Sequence, residues 1–400
     1  MQLKKNKTSR IAFFLPAPNA MTGAPRRLLT LMTALRDSGR FEVALIADPS
    51  DQLAQEAGIV GIKVLEVTIG PILSKKHGIL LTGSIGFRGR VVWELMRYNF
   101  RMIRAFCVYK PDVIWIRGSK GIAFVGLAAF MIHRPLVWDI DSELPSRGLV
   151  AILHDFGLWM SSKVVLQYAA ADERIFGIDR VQRTRQKFEP MIPGIDFEQL
   201  LPYRERRFLQ CTNKAFVYGF FRILQGGSIC DIKNQRFTLR VLSELKRSFP
   251  HLDFELWIAG DEYEEDYTET VKRDLESSSI KKNVKFLGWR DDIPELLVRA
   301  DLLIHPSKDE GVPNIIQEAM YMGCPVLASD VGGVPEIVEN NRTGWILPND
   351  DPAVWAEKIA WIISNPKKVL EIANAAAFYA EQNFSVDQWA ARYAEILELR

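Results

Sequence analysis

Two acidic side chains, Glu310 and Glu318, are separated by seven residues that include Gly311-Val312-Pro313-Asn314. The apolar run Asp301-Leu302-Leu303-Ile304-His305 just upstream has the length and Leu/Ile content of a strand buried on both faces of a parallel sheet. Pro313, with its backbone angle preset, opens a helix that residues 314–322 continue and Gly323 stops. Glu310 then lies on the loop, and Glu318 one turn inside the helix on the face it shares with Asn314. Such a turn holds unpaired backbone N–H groups at the positive end of a helix dipole, a seat for a phosphate or a sugar hydroxyl. A carboxylate only accepts, and it can take both hydroxyls of a vicinal diol, so Glu318 suits a ribose and Glu310 a hexose. Alone, the pair reads equally well as two solvated acids at a helix start.

The flanking blocks change those odds. Upstream stand Leu256-Trp257-Ile258-Ala259-Gly260-Asp261 and Phe286-Leu287-Gly288-Trp289-Arg290; downstream stand Asp330-Val331-Gly332-Gly333-Val334-Pro335-Glu336 and Thr343-Gly344-Trp345. In this order, and with the E-x7-E spacing of Glu310 and Glu318, the stretch from about residue 215 to 365 resembles the donor domain of retaining nucleotide-sugar glycosyltransferases. Notably, it resembles glycosyltransferase family 4, glycosyl transferases group 1. The resemblance implies an α/β chain of GT-B type, two facing Rossmann-like domains with parallel sheets and a cleft between them. It also implies roles for residues. Arg222 and Lys233 would clamp the donor diphosphate, Gly23 would approach it from the first domain, and the backbone of Arg290 would meet the base. Gly311, Val312, Pro313, Asn314 and Glu318 would hold the donor while Glu310 orients the sugar. Many relatives carry a histidine about where Asp141 stands, so that contact departs from the family pattern, as does Pro25, where an acid is usual. The nucleotide sugar is a substrate, and neither a cofactor nor a metal is expected.

The elements that must position these residues are legible in part. Residues 11–15 read as a strand, 26–38 as a helix and 41–47 as a second strand, a right-handed parallel unit. Residues 111–117 and 135–141 are further strands, the latter carrying Asp139 and Asp141 at its carboxyl end, where open α/β sheets bind ligands. Either acid is a candidate to receive a sugar hydroxyl or a proton from the acceptor. Residues 70–90 read as a loop. Residues 91–109 form a helix on which Arg97, Arg101 and Arg104 recur; it reads as a sheet cover with solvated arginines or as a basic amphipathic helix for a membrane. The second half opens with a strand at 215–219 and a loop at 225–231, followed by a helix that ends at Ser248. Helices are also expected over 350–364 and 385–399. This gives a first domain, 1–200, that takes the acceptor and a second, 201–382, that takes the donor, with a last helix, about 383–400, packing back on the first.

Composition sets the outer bounds. A 400-residue chain that is 48% hydrophobic and 25% charged is globular with ample core. No uncharged window reaches the ~18–20 residues that span a bilayer. No signal peptide is recognised, and the four cysteines, Cys107, Cys211, Cys230 and Cys324, form no C-x2-C pair, so a cytoplasmic setting is expected. Residues 1–200 hold 27 Lys/Arg against 18 Asp/Glu, a net +9, whereas 201–400 hold 24 against 31. The first half is the one to meet an anion: a lipid-linked acceptor or, by peripheral contact, the inner face of the plasma membrane. Nucleic acid is not expected. The expected activity is transfer of a hexose-type sugar to a hydroxyl of a glycan or lipid-linked acceptor, with surface polysaccharide or lipid-linked oligosaccharide assembly as its setting. Three other readings stay open: a metal site at Asp139-Ile140-Asp141, a sugar-nucleotide epimerase or hydrolase, and a non-catalytic binding relative.

Overall fold

Runs such as Ile11-Ala12-Phe13-Phe14 and Val113-Ile114-Trp115-Ile116 are buried on both sides, which a parallel sheet covered by helices on both faces permits. The computed structural model of the chain describes residues 8–16, 23–74, 84–140, 148–213 and 220–398. Asp141, the 215–219 run and most of the loop before residue 84 lie outside them. The chain forms two units, Met1–Gly194 with Val386–Arg400, and Ile195–Ser385.

The first unit carries β1 (Ser9–Phe14), β2 (Phe41–Ala47), β3 (Lys63–Glu66), β4 (Val113–Arg117), β5 (Leu136–Ile140), β6 (Lys163–Leu166) and β7 (Phe188–Pro190). All neighbours pair in parallel, in the order β3-β2-β1-β4-β5-β6-β7. Side chains alternate between two layers. Phe13 and Trp115 pack with Leu31 of helix Gly23–Asp37 and Tyr393 of helix Val386–Leu397. On the other face Phe14 packs on Tyr98 and Phe124, and Trp138 on His154.

The second unit carries β8 (Phe221–Gly226), β9 (Phe254–Ala259), β10 (Val284–Gly288), β11 (Leu302–His305), β12 (Val326–Ser329) and β13 (Trp345–Leu347), again all parallel, ordered β10-β9-β8-β11-β12-β13. Both units are therefore Rossmann-like. Strand order reverses between β1 and β4 in the first and between β8 and β11 in the second, and at such points the crevice beyond the carboxyl ends receives ligands.

Several elements differ from expectation; the helix expected over 91–109 begins at Ile85, inside the supposed 70–90 loop. Residues 221–226 form a strand, so the first two residues of the supposed 225–231 loop, Gln225 and Gly226, belong to β8. An 18-residue helix, Pro366–Asn383, was not anticipated; its alanine-rich stretch has little apolar contrast, although Pro366 marks its first position. Among the described residues no helix is long and apolar enough to cross a membrane.

Candidate active site

The site grows from the end of β11. His305 and Ser307 are buried, and the turn after them is pinned through the Ser307 carbonyl, which accepts from Ser329 Oγ at 2.6 Å and Asn349 Nδ2 at 2.9 Å. The chain then swings out to Glu310. Gly332, at φ +53°, lies so close that a Cβ there would stand 1.8 Å from the Glu310 carbonyl oxygen. Only glycine permits that approach, and Gly333 N then donates to Gly311 O at 2.9 Å. The downstream Gly332-Gly333 pair thus seats the Glu310 loop.

Lys233 reaches the same point from β8. It ends a short 3-10 turn, Asp231–Lys233, after which Asn234 takes a left-handed conformation at φ 56°. Asn234 Nδ2 donates to Pro306 O at 3.1 Å, Lys308 N to Ile232 O at 2.8 Å, and the buried Gln225 Nε2 to Lys233 O at 2.9 Å. So held, Lys233 Nζ lies 2.5 Å from Glu310 Oε1, and His305 Nε2 lies 2.8 Å from the same oxygen. A carboxylate only accepts, so Nε2 carries the proton in that bond. Burial alone would push the Glu310 carboxyl up; the Lys233 ammonium and His305 outweigh it and hold the carboxyl well below the usual range. The group is a fixed anion at neutral pH. Its side chain is 11% exposed and that of Lys233 25%, so the pair is sheltered but reachable.

Around this pair the strand ends converge. Gly226-Gly227 leave β8, and Gly260, after β9, comes so near that a Cβ would meet Gly227 O at 2.0 Å. Ser228 Oγ donates to Asp261 Oδ1 at 2.5 Å. Helix Asn314–Tyr321 starts one residue after Pro313, which is its extended N-cap (φ −76°, ψ 122°) and not part of its first turn, and no side chain caps it. Asn314 and Glu318, four residues apart on one face, are both half-buried, while Ile316, Gln317, Ala319 and Met320 pack inward. Gly311, Val312 and Pro313 form the link from Glu310 to this helix.

Arg222 does not join them. It stands at the amino end of β8, where Arg222 N donates to Asp301 Oδ2 and Asp301 N to Arg222 O, both at 2.8 Å. Its guanidinium lies over Phe220 and Trp257, at 5.1 Å and 5.9 Å from the ring centres. Four residue steps along the strand, roughly 13 Å, separate it from Gly226. The diphosphate-clamp role assigned to Arg222 is corrected on this ground: it belongs to the opposite edge of the sheet. Arg290 follows β10 and its guanidinium forks onto the Asp292 carboxylate (2.7 and 2.5 Å). Gly23 opens its helix in the first unit with open space at its Cβ position. Asp139, in β5, is engaged by Arg117 NH1 at 3.3 Å and by the Tyr393 hydroxyl, all three being buried. Among the described residues no group of three His, Cys, Asp or Glu is placed to hold a metal ion.

The sequence reading missed His305, treating it as the end of a strand. A histidine closing an apolar strand five residues ahead of an acid was the available signal.

Residues 221–365 match the family model described as Glycosyl transferases group 1. The D-inositol 3-phosphate glycosyltransferase of Corynebacterium efficiens is 29% identical over 218 residues, 52% of this chain and 49% of that protein. The amylovoran biosynthesis glycosyltransferase AmsK of Erwinia amylovora is 29% identical over 136 residues, 32% and 33% of the two chains. The chain thus spans half or less of the length of these curated relatives. Among solved structures, Anabaena HepE in complex with UDP and glucose superposes with a TM-score of 0.76 at 23% identity, covering 97% of this chain and 99% of that one. A glycosyltransferase of Rickettsia africae superposes with a TM-score of 0.76 at 18% identity, covering 98% of each chain. At these identities the likeness shows the fold, that of GT-B glycosyltransferases.

Proposed function

We propose that the chain is a retaining glycosyltransferase of family 4 type that moves a hexose from a nucleotide-sugar donor to a hydroxyl of a glycan or lipid-linked acceptor, in surface polysaccharide or lipid-linked oligosaccharide assembly. The observation that carries this reading is the Glu310–Lys233–His305 cluster at the reversal point of the second sheet. Support comes from the group 1 match over 221–365 and from relatives named for sugar transfer.

The donor sits with its diphosphate against the Gly226-Gly227 and Gly311–Asn314 backbone. Lys233 has three donor hydrogens, so its ammonium keeps Glu310 and takes a phosphate oxygen at once. Glu318 receives the ribose hydroxyls and Glu310 the hexose hydroxyls, and the backbone of Arg290 meets the base. The acceptor oxygen bonds to the anomeric carbon as the bond to the diphosphate breaks; the acceptor proton passes to the departing phosphate oxygen, and configuration is retained. Asp141 stands in for the histidine of relatives. The chain supplies geometry and charge neutralisation rather than a nucleophile or a metal.

The test is donor consumption with and without a lipid or glycan acceptor fraction, across UDP-, GDP-, ADP- and dTDP-sugars. Lys233→Ala and Glu318→Ala should abolish acceptor-dependent turnover, Glu318→Ala at unchanged melting temperature and Lys233→Ala with some loss of stability because Glu310 keeps its charge without that cation, and an NMR spectrum of the product should give the donor's anomeric configuration. Full activity in both variants ends the proposal; donor consumption indifferent to acceptor points to the epimerase or hydrolase reading.

A further inference from the structure

Three consecutive helices of the first unit, Ile85–Tyr109, Gly118–Met131 and Gly148–Met160, lie side by side over one face of its sheet. The first is tied to the second by Asn99, whose Nδ2 donates to Ala123 O at 3.3 Å and whose Oδ1 accepts from Ala128 N at 3.0 Å. Their inner sides join the core through Tyr98, Met102, Phe124 and His154, the last packed against Trp138 of β5. Their outer sides carry exposed aromatic residues. Trp93, Met96 and Phe100 recur at helical spacing on the first helix, with Trp93 61% and Phe100 57% exposed. On the others Phe130 and Trp159 pack together at 5.3 Å between ring centres, Phe156 adds to Trp159 at 5.9 Å, and Trp159 remains 62% exposed. Scattered exposed apolar residues are ordinary; an aromatic face shared by three neighbouring helices marks an interaction surface.

Charge identifies the occupant. Helix Ile85–Tyr109 carries five arginines, Arg88, Arg90, Arg97, Arg101 and Arg104, against one acid, Glu94. Arg104 stacks over Phe100 at 4.9 Å, which sets a cation beside the aromatic row. A second copy of the chain meeting this face through two-fold symmetry would bring the two sets of arginines together, at a repulsive cost. Aromatic rings flanked by arginines instead match an interface of headgroup phosphates over acyl chains.

We infer that this three-helix face docks the protein on an anionic lipid bilayer, with Trp93, Phe100 and Trp159 in the interfacial zone and the helix arginines on lipid phosphates. The inference rests on the proposed function only for its purpose, which is to hold the enzyme where a lipid-linked acceptor resides; the docking stands on the surface itself.

Co-sedimentation of the full chain with phosphatidylcholine vesicles, with and without phosphatidylglycerol, tests it. Binding should require phosphatidylglycerol and weaken with salt. The triple variant Trp93→Glu, Phe100→Glu, Trp159→Glu should bind about tenfold less or worse, with its melting temperature and its turnover of a water-soluble acceptor unchanged. Should that variant fail to fold, Arg90→Glu with Arg104→Glu, both exposed, should show the same loss. Absence of binding, or equal binding by wild type and variants, overturns the inference. So does a dimer by light scattering that Trp159→Glu dissociates, which gives the face to a second copy. Loss of vesicle binding with soluble-acceptor turnover intact separates this proposal from the catalytic one.

Discussion

Each unit places a carboxylate beside a cation and a ring donor near the carboxyl end of its sheet, and the two clusters differ in what closes them. Asp139 of the first unit lies within β5 and meets Arg117 and Tyr393, and all three are buried. Tyr393 belongs to helix Val386–Leu397, so this cluster straps the end of the chain to the sheet. Burial first, and then the Asp139 charge, push the Tyr393 phenol well above its usual range, so it stays a donor. Glu310 of the second unit rides a loop seated by Gly332 and pairs with a lysine that remains a quarter exposed. The same chemistry is spent on structure where every partner is covered and is open to a ligand where one partner faces solvent.

The strongest break in this comparison is Glu310→Gln, an isosteric loss of charge. Turnover of the folded protein should fall by about 10²–10³, a gap of ~3–4 kcal/mol in the barrier, beside a loss of the stability that the Glu310 charge supplies. Asp139→Ala should act on stability alone. It leaves the Arg117 guanidinium and the Tyr393 hydroxyl buried without their anion, costing about 3 kcal/mol of stability, visible in a urea melt, with kcat of the folded fraction preserved. Inactivity of Asp139→Ala at unchanged stability would reverse the two assignments. Gly332→Ala comes next. Its Cβ would collide with the Glu310 carbonyl from a left-handed backbone, so a loss of about 1–3 kcal/mol should come with a drop in kcat. Gly23→Ala, with open space around it, is the control that should leave stability unchanged.

How far these clusters were legible follows from what sequence can carry. Both sheets were readable because a strand buried on both faces must be an apolar run, and 43–47 and 302–304 are such runs. Lys233 and Glu310 stand out by order in the chain, but their contact needs Asn234 to turn left-handed and bond to Pro306, which no periodicity announces. Arg222 was misplaced because the apolar run at 215–219 drew the strand too early; with β8 at Phe221–Gly226, an arginine in its second position falls at the far edge. The Asp139 strap joins residues 254 positions apart, a pairing that only the fold brings about.

Acid should separate the two units by the smallest of these effects. His154, in the first unit, is fully buried: it is enclosed by Trp138 and Phe176, with Ser119 Oγ at 2.7 Å. Burial, with a lesser contribution from Arg180, pushes its imidazole down to about 4. The folded chain therefore refuses a proton that the unfolded chain accepts near 6.5, and the stability this provides is full above pH 6.5 and drains as pH falls toward 4. Glu310 behaves as a depressed carboxyl, so its contribution is full above its ordinary value near 4.5 and drains only below it. Hydrogen exchange of peptides covering 148–160 and 302–321, followed from pH 7 to pH 4, should show the first loosening by a modest factor while the second holds. His154→Gln should flatten the pH dependence in the first unit alone; an unaltered profile in that variant would remove His154 as its cause.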